Sequence, residues 1–305
     1  MRALVTGGAG FVGSHIVGHL IGRGDQVLVV DDLSTGKSAN VAPEAELEEL
    51  DVADKTLERV VSSFKPDLIT HCAAQASVPA SMADPASDAS TNIVGGINVC
   101  RAAIAADCRQ FIYITTGGAL YGTPRYLPCD EEHPLQPESA YGLSKWTLES
   151  YLAMLLPSSM NLQILRLANV YGPRQDPHGE AGVVAIFADR MLRGAQVEIF
   201  GDGEQSRDFV YVSDVAAAHQ CALAAGDPTT VNIGTEIATT INGIYESISA
   251  ETSYKYSPTY GPERAGDVKH VVLANGRAER VLGWRPSVSL ADGIRETVAW
   301  FKQQL

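Results

Sequence analysis

The opening stretch constrains this chain most: an apolar run at 2–6 leads into Thr6-Gly7-Gly8-Ala9-Gly10-Phe11-Val12-Gly13, and a helical pattern follows. Gly8, Gly10 and Gly13 fit GxGxxG, while Gly7, Gly10 and Gly13 fit GxxGxxG. Glycines between a strand and a helix permit a tight turn, let the backbone approach a pyrophosphate and seat that anion on the helix N-terminus. An isolated glycine turn would say little, but the strand before it and the helix after it supply the required context. A second strand-like run ends at Asp31-Asp32. A carboxylate there accepts hydrogen bonds from ribose hydroxyls and repels a 2′-phosphate, so NAD(H) is expected over NADP(H).

The first half repeats the alternation. Strands are predicted at 2–6, 26–30, 47–50, 68–71, 111–115 and 163–167, with helices at 14–23, 55–64, 93–107 and 141–155. Strands separated by helices of that length imply a doubly wound parallel α/β sheet, Rossmann-like, covered on both faces. Beyond residue 167 the pattern loosens, and Gly- and Pro-bearing loops at 171–182, 201–206 and 256–266 interrupt shorter elements. The expected division is therefore a dinucleotide-binding part, 1–167, and a smaller α+β substrate lobe, 168–305, some segments of which return to the main sheet.

A net charge of −13 argues against a nucleic-acid or anionic-membrane partner. Five cysteines (Cys72, Cys100, Cys108, Cys129, Cys221) form no CxxC and no metal-ligand spacing. They read as reduced thiols of a cytoplasmic protein without a metal site. No leader segment and no apolar run long enough to span a membrane is expected.

Tyr141 and Lys145, in Ser139-Ala140-Tyr141-Gly142-Leu143-Ser144-Lys145, stand at i,i+4. On a helix both side chains share a face. An ammonium beside a phenol favours the phenolate, which makes Tyr141 a candidate general acid/base. With 11 tyrosines in the chain the spacing alone could arise by chance, and a half-buried tyrosine beside a solvated lysine is its bland alternative.

Taken with the glycine loop, Asp31 to Gly36, Asp51-Val52, His71-Cys72-Ala73-Ala74-Gln75, Asn92, Tyr141-x-x-x-Lys145, Arg166 to Gln175, Gly201-Asp202-Gly203, Arg207 to Val212 and Arg264 to Asp267, the chain resembles the extended short-chain dehydrogenase/reductase family. The match covers nearly the whole length and looks most like the UDP-glucose (UDP-galactose) 4-epimerases within it. The resemblance implies NAD as cofactor, held by Gly7, Gly10, Phe11, Val12 and Gly13 at the pyrophosphate. Asp31, Asp32, Leu33, Ser34, Thr35 and Gly36 would lie at the adenosine ribose, and Asp51 and Val52 at the adenine. Ala73, Ala74, Gln75, Asn92, Thr115, Tyr141, Lys145 and Ala168 would hold the nicotinamide half.

It further implies a UDP-sugar enclosed by Gly117, Gly118, Tyr141, Asn169, Val183, Val184, Ile199, Phe200, Arg207, Arg264, Asp267 and Val271. Guanidinium forks suit diphosphate oxygens. The implied reaction inverts sugar C4 through a transient 4-keto sugar, with Tyr141 exchanging the 4-hydroxyl proton and NAD recycled. A homodimer built on helices near 93–107 and 141–155 is implied as well.

One position departs from the pattern. The family usually carries Ser or Thr four residues before the tyrosine of Leu120-Tyr121-Gly122, and here that residue is Gly117. Thr116 or a water then partners Tyr141, while Thr115 and Thr116 read equally well as strand-end residues. Related dehydratases and decarboxylases typically carry an acidic residue in the segment occupied by 116–119, which this chain lacks. A non-catalytic NAD-binding module would commonly lose the tyrosine or lysine. Val271, small and placed near the sugar 2-substituent by the resemblance, leaves UDP-N-acetylglucosamine open beside UDP-glucose. UDP-glucuronate also stays open, with Arg174 and His178 in a loop that could bear on the choice.

Overall fold

The computed structural model describes residues 1–178, 182–263 and 268–305. Seven strands form one parallel sheet: β1 (Arg2–Thr6), β2 (Gln26–Asp31), β3 (Glu46–Glu49), β4 (Leu68–His71), β5 (Gln110–Thr116), β6 (Asn161–Leu167) and, after an excursion through β7 (Asn169–Tyr171), β8 (Glu198–Phe200) and β9 (Ser206–Tyr211), β10 (Thr229–Ile233). Their order is β10-β6-β5-β4-β1-β2-β3, every neighbouring pair parallel. Central strands such as Leu4-Val5 and Val29-Val30 are buried, as a sheet covered on both sides requires. The edge strand β3 reads Glu-Leu-Glu-Glu and is exposed throughout, and its charges discourage further strand pairing.

Helices α1 (Phe11–Gly22), α2 (Leu57–Phe64), α3 (Val78–Ala83), α4 (Pro85–Ala89), α5 (Gly96–Ala105), α6 (Ala140–Leu155), α7 (Val183–Leu192), α8 (Val212–Ala224), α9 (Ile241–Thr252), α10 (Gly276–Leu282) and α11 (Leu290–Gln303) complete the regular structure with the short strands β11 (Ala238–Thr240), β12 (Thr259–Gly261) and β13 (His270–Val271). Ile16, Val17 and Leu20 of α1 join Val215, Ala218 and Ala222 of α8 in the core on one sheet face. Leu57 and Val61 of α2, Val99 and Ala103 of α5, and Leu148 and Leu152 of α6 fill the other. A third core holds Phe187, Ile199, Phe209, Ile244 and Phe301, beneath the small sheet β11-β9-β13, to which β7 adds by pairing with β9.

From β1 the chain builds outward through β2 to β3, then crosses to β4 on the other side of β1. The crevice at the carboxyl ends of β1 and β4 is the place where such sheets bind ligands. It brings the glycine loop against Ala73. The two short helices α3 and α4 lie in a stretch with no apolar periodicity; Ser77 and Asp84 cap them by accepting from Ala80 N and Ser87 N. Helix α5 does not begin at 93: a π-helical segment, Ser90–Gly95, precedes it.

Candidate active site

The glycine loop is shaped for close approach. Gly7 has φ +68°, and a Cβ on it would lie 2.6 Å from Ala73 N. A Cβ on Gly13 would lie 2.1 Å from the Gly7 carbonyl oxygen, so any side chain there would force the loop apart. No side chain caps α1 at Gly10, which leaves the first-turn amides beside Phe11 and Val12 for a ligand's anionic oxygens. At the tip of β2 the Asp31 carboxylate accepts from Ala9 N and Leu33 N, both at 2.9 Å, and retains lone pairs for further donors. Asp32 is exposed and turned to Ser34 N and Oγ, forming a local turn. Ser34 and Thr35 are exposed, and Gly36 lies against the Asp31 carboxylate. Asp51 accepts from Ala53 N beyond β3, and Val52 is buried against Gly95. A narrow glycine cradle, an uncapped helix and an anchored carboxylate fit a dinucleotide.

Asn92 is committed to the protein. Its Oδ1 accepts from Gln75 N (2.8 Å), and its Nδ2 donates to Gln75 O (3.0 Å), Asp88 Oδ1 (3.1 Å) and Ser144 Oγ (3.0 Å). The loop holding Ala73, Ala74 and Gln75 is therefore braced to α6 through this amide. Helix α6 starts at Ser139, whose hydroxyl accepts from Gly142 N, and the amide of Tyr141 donates to Ser81 Oγ at 3.0 Å.

Tyr141 and Lys145 do share the inner face of α6, but the expected electrostatics differ. The buried Lys145 ammonium donates to Ile114 O at 3.0 Å and lies 4.5 Å from the centre of the Tyr113 ring. Burial lowers Lys145 to about 8, while burial pushes the Tyr141 phenol up to about 12; a hydrogen bond from Thr116 opposes the rise. Desolvation of the phenolate thus dominates at Tyr141.

A Cβ on Gly117 would meet Leu273 Cδ1 at 2.4 Å, so this position faces the core and a serine or threonine there would displace Leu273. Thr116, one residue earlier at the end of β5, accepts from Ala119 N at 3.3 Å and lines the cavity with Tyr141. Thr115 is buried behind.

That cavity measures about 310 Å³. Gly118, Ala119, Ala168, Ala76 and Val78 form a wall of small residues around Thr116 and Tyr141; Asn169, Val183, Val184 and Arg207 line the side toward the lobe. Arg207 donates to the carbonyls of Ser206 and Lys269 and reaches the cavity from β9. Gln175, Tyr171 and Phe209 line it too, unassigned by the sequence reading. Ile199 is buried in the lobe core and does not line this cavity. Phe200, half-buried, follows it on β8. Val271 is 3% exposed, packs in the main core and does not line this cavity. Arg264 and Asp267 lie outside the described residues.

A doubly wound sheet with a glycine cradle at its switch point and a Tyr-x-x-x-Lys helix beside it defines a dinucleotide-dependent enzyme of the short-chain dehydrogenase type. Residues 3–234 match the NAD dependent epimerase/dehydratase family, and the chain belongs to it. It is 43% identical over 300 residues to the putative UDP-glucose 4-epimerase of Methanocaldococcus jannaschii, covering 98% of each chain. Among solved structures it is similar to the UDP-glucose 4-epimerase of Thermotoga maritima with UDP-glucose, at 46% identity and TM-score 0.98, covering 100% of this chain and 99% of that one. The Thermus thermophilus UDP-glucose 4-epimerase complex with NAD is 41% identical at TM-score 0.94, each chain covered in full (100% and 100%).

Proposed function

We propose that the protein is an NAD-dependent UDP-sugar 4-epimerase that interconverts UDP-glucose and UDP-galactose. The observation that carries this reading is Tyr141 beside Thr116 in the wall of one cavity that faces the glycine cradle's sheet on one side and Arg207 on the other. Full-length relatives of that activity support it. NAD, bound in the cradle, would supply the acceptor and donor of hydride at sugar C4. Tyr141 takes the 4-hydroxyl proton and later returns it, Thr116 orients the phenol, and Lys145 holds positive charge behind it. Arg207, with Arg264 and Asp267, anchors the diphosphate end. The wall of Gly118, Ala119 and Ala168 offers the hexose no side-chain hydrogen bond, which leaves a 4-keto sugar room to turn and present its other face. In this division residues 1–167 serve mainly the cofactor and 168–305 the UDP-sugar.

Heat-denatured protein is expected to release NAD. Native protein incubated with UDP-glucose, UDP-galactose, UDP-N-acetylglucosamine and UDP-glucuronate should show C4 inversion by NMR with the first two. Bound NAD with no inversion of any of the four would sink the assignment.

The same reading includes a cytoplasmic homodimer. All five cysteines are free, and among the described residues no helix is long and apolar enough to cross a membrane. Val94, Ile104, Leu143, Trp146 and Met154, on α5, α6 and the segment before them, expose apolar surface that a second copy would cover. Light scattering on the purified protein should read the mass of two chains, and a monomer at micromolar concentration would refute the dimer.

A further inference from the structure

Asp88 is a buried carboxylate that the chemistry above does not use. It sits in α4 at 1% exposure. Its Oδ1 accepts from Gln75 Nε2 at 2.9 Å and Asn92 Nδ2 at 3.1 Å, both neutral amides, while its Oδ2 is buried with no hydrogen-bond partner. No cation pairs with it among the described residues. A carboxylate removed from water without a cation is costly and persists where it serves a purpose. Its connections run to the Tyr141–Lys145 helix: Asn92 Nδ2 reaches Ser144 Oγ at 3.0 Å, and Ser144 Oγ donates to the Tyr141 carbonyl at 3.0 Å. The π-helical turn Ser90–Gly95 carries Asn92, and such turns often mark functional sites.

We propose that Asp88 is a positioning residue of the Tyr141–Lys145 couple: it locks the Gln75–Asn92–Ser144 brace against α6 and sets a buried negative charge beside the couple. Its kinetic consequence rests on the epimerase reading above; its structural part does not. The other ionisable groups around the couple are neutral or already paired. His71 of β4 is held neutral by burial, which lowers it to about 3, and burial keeps the Cys72 thiol protonated by raising it to about 12. Burial likewise keeps Tyr113 of β5 protonated. Glu149 of α6 is paired with Arg166. Asp88 has no paired cation; its charge opposes Tyr141 ionisation and adds to Cys72 and Glu149 in favouring the Lys145 ammonium against burial.

The test uses the NAD-loaded enzyme and its Asp88→Asn and Asp88→Ser variants, which remove the charge with different sterics; circular dichroism and bound NAD show which are folded. Ionisation of Tyr141 is read without substrate, as the near-ultraviolet phenolate absorbance lost when Tyr141→Phe is added to each protein. Losing a like charge nearby should move that midpoint down by about one pH unit. The acid limb of kcat should move by the same amount with KM changed less than about twofold, a pattern mere destabilisation does not produce. A folded Asp88→Asn protein with the wild-type midpoint overturns the proposal. A shifted midpoint in an enzyme that inverts no UDP-sugar would support it and refute the epimerase reading instead.

Discussion

Tyr141→Phe is expected to lower kcat for UDP-galactose epimerisation by about a thousandfold while leaving bound NAD and KM nearly unchanged, because positioned proton transfer contributes about 10²- to 10⁴-fold to such reactions. The ring stays, so the cavity wall keeps its shape; the backbone contact to Ser81 and the cap at Ser139 do not involve the phenol oxygen. What goes is the phenol oxygen beside Thr116 in the cavity wall. The measurement is steady-state turnover with cofactor content checked after denaturation. A variant retaining more than about a tenth of wild-type kcat would show that another group carries the proton.

The second large effect concerns stability. Arg166 on β6 donates to Glu149 on α6 through Nε (3.2 Å) and Nη2 (2.6 Å), with side chains only 8% and 6% exposed. Its Nη1 reaches Tyr121 OH at 3.3 Å, and that hydroxyl donates to Asn232 Oδ1 on β10 at 2.7 Å. Arg166→Ala strands the Glu149 carboxylate in a dry interior and is expected to cost about 3–5 kcal/mol in urea unfolding. The paired replacement Arg166→Met with Glu149→Leu should recover most of that loss, since an apolar pair leaves no charge uncompensated. A single-variant loss below about 1 kcal/mol would mean the pair is solvated in practice. Glu149 lies one helical turn beyond Lys145, so the same variant should also loosen the catalytic helix.

The sheet and the cofactor cradle were legible because their causes are local. Apolar runs of strand length, a glycine loop and a carboxylate at a strand end each constrain the few residues that carry them. Placement across the fold was less accessible. That a side chain at Gly117 would meet Leu273 depends on a contact between residues far apart in sequence. Nothing in the order of residues told Thr116 from a strand-end threonine. Val271 matched a motif position, yet its strand β13 lies along β9 with the side chain turned into the core. The Tyr141–Lys145 spacing was visible, whereas the burial that separates their proton affinities was not. Asp88 stands at i,i+4 to Asn92, the spacing of that pair, a signal that could have marked it. The short capped helices before them, with Pro79 and Pro85 near their starts, hide any periodicity.

The path of the chain between sheet and lobe bears on how a sugar enters and leaves. The backbone leaves the sheet after Leu167, returns at Val212 to lay α8 beside α1, pairs β10 with β6, departs again at Ala238, comes back with α10 and ends in the lobe with α11. The two parts are stitched together at successive points along the crevice rather than joined by one strand of linker. Any swing of the lobe has to bend every one of these crossings together, so the weave of the chain couples the separation of Arg207 and Tyr141 to several segments at once.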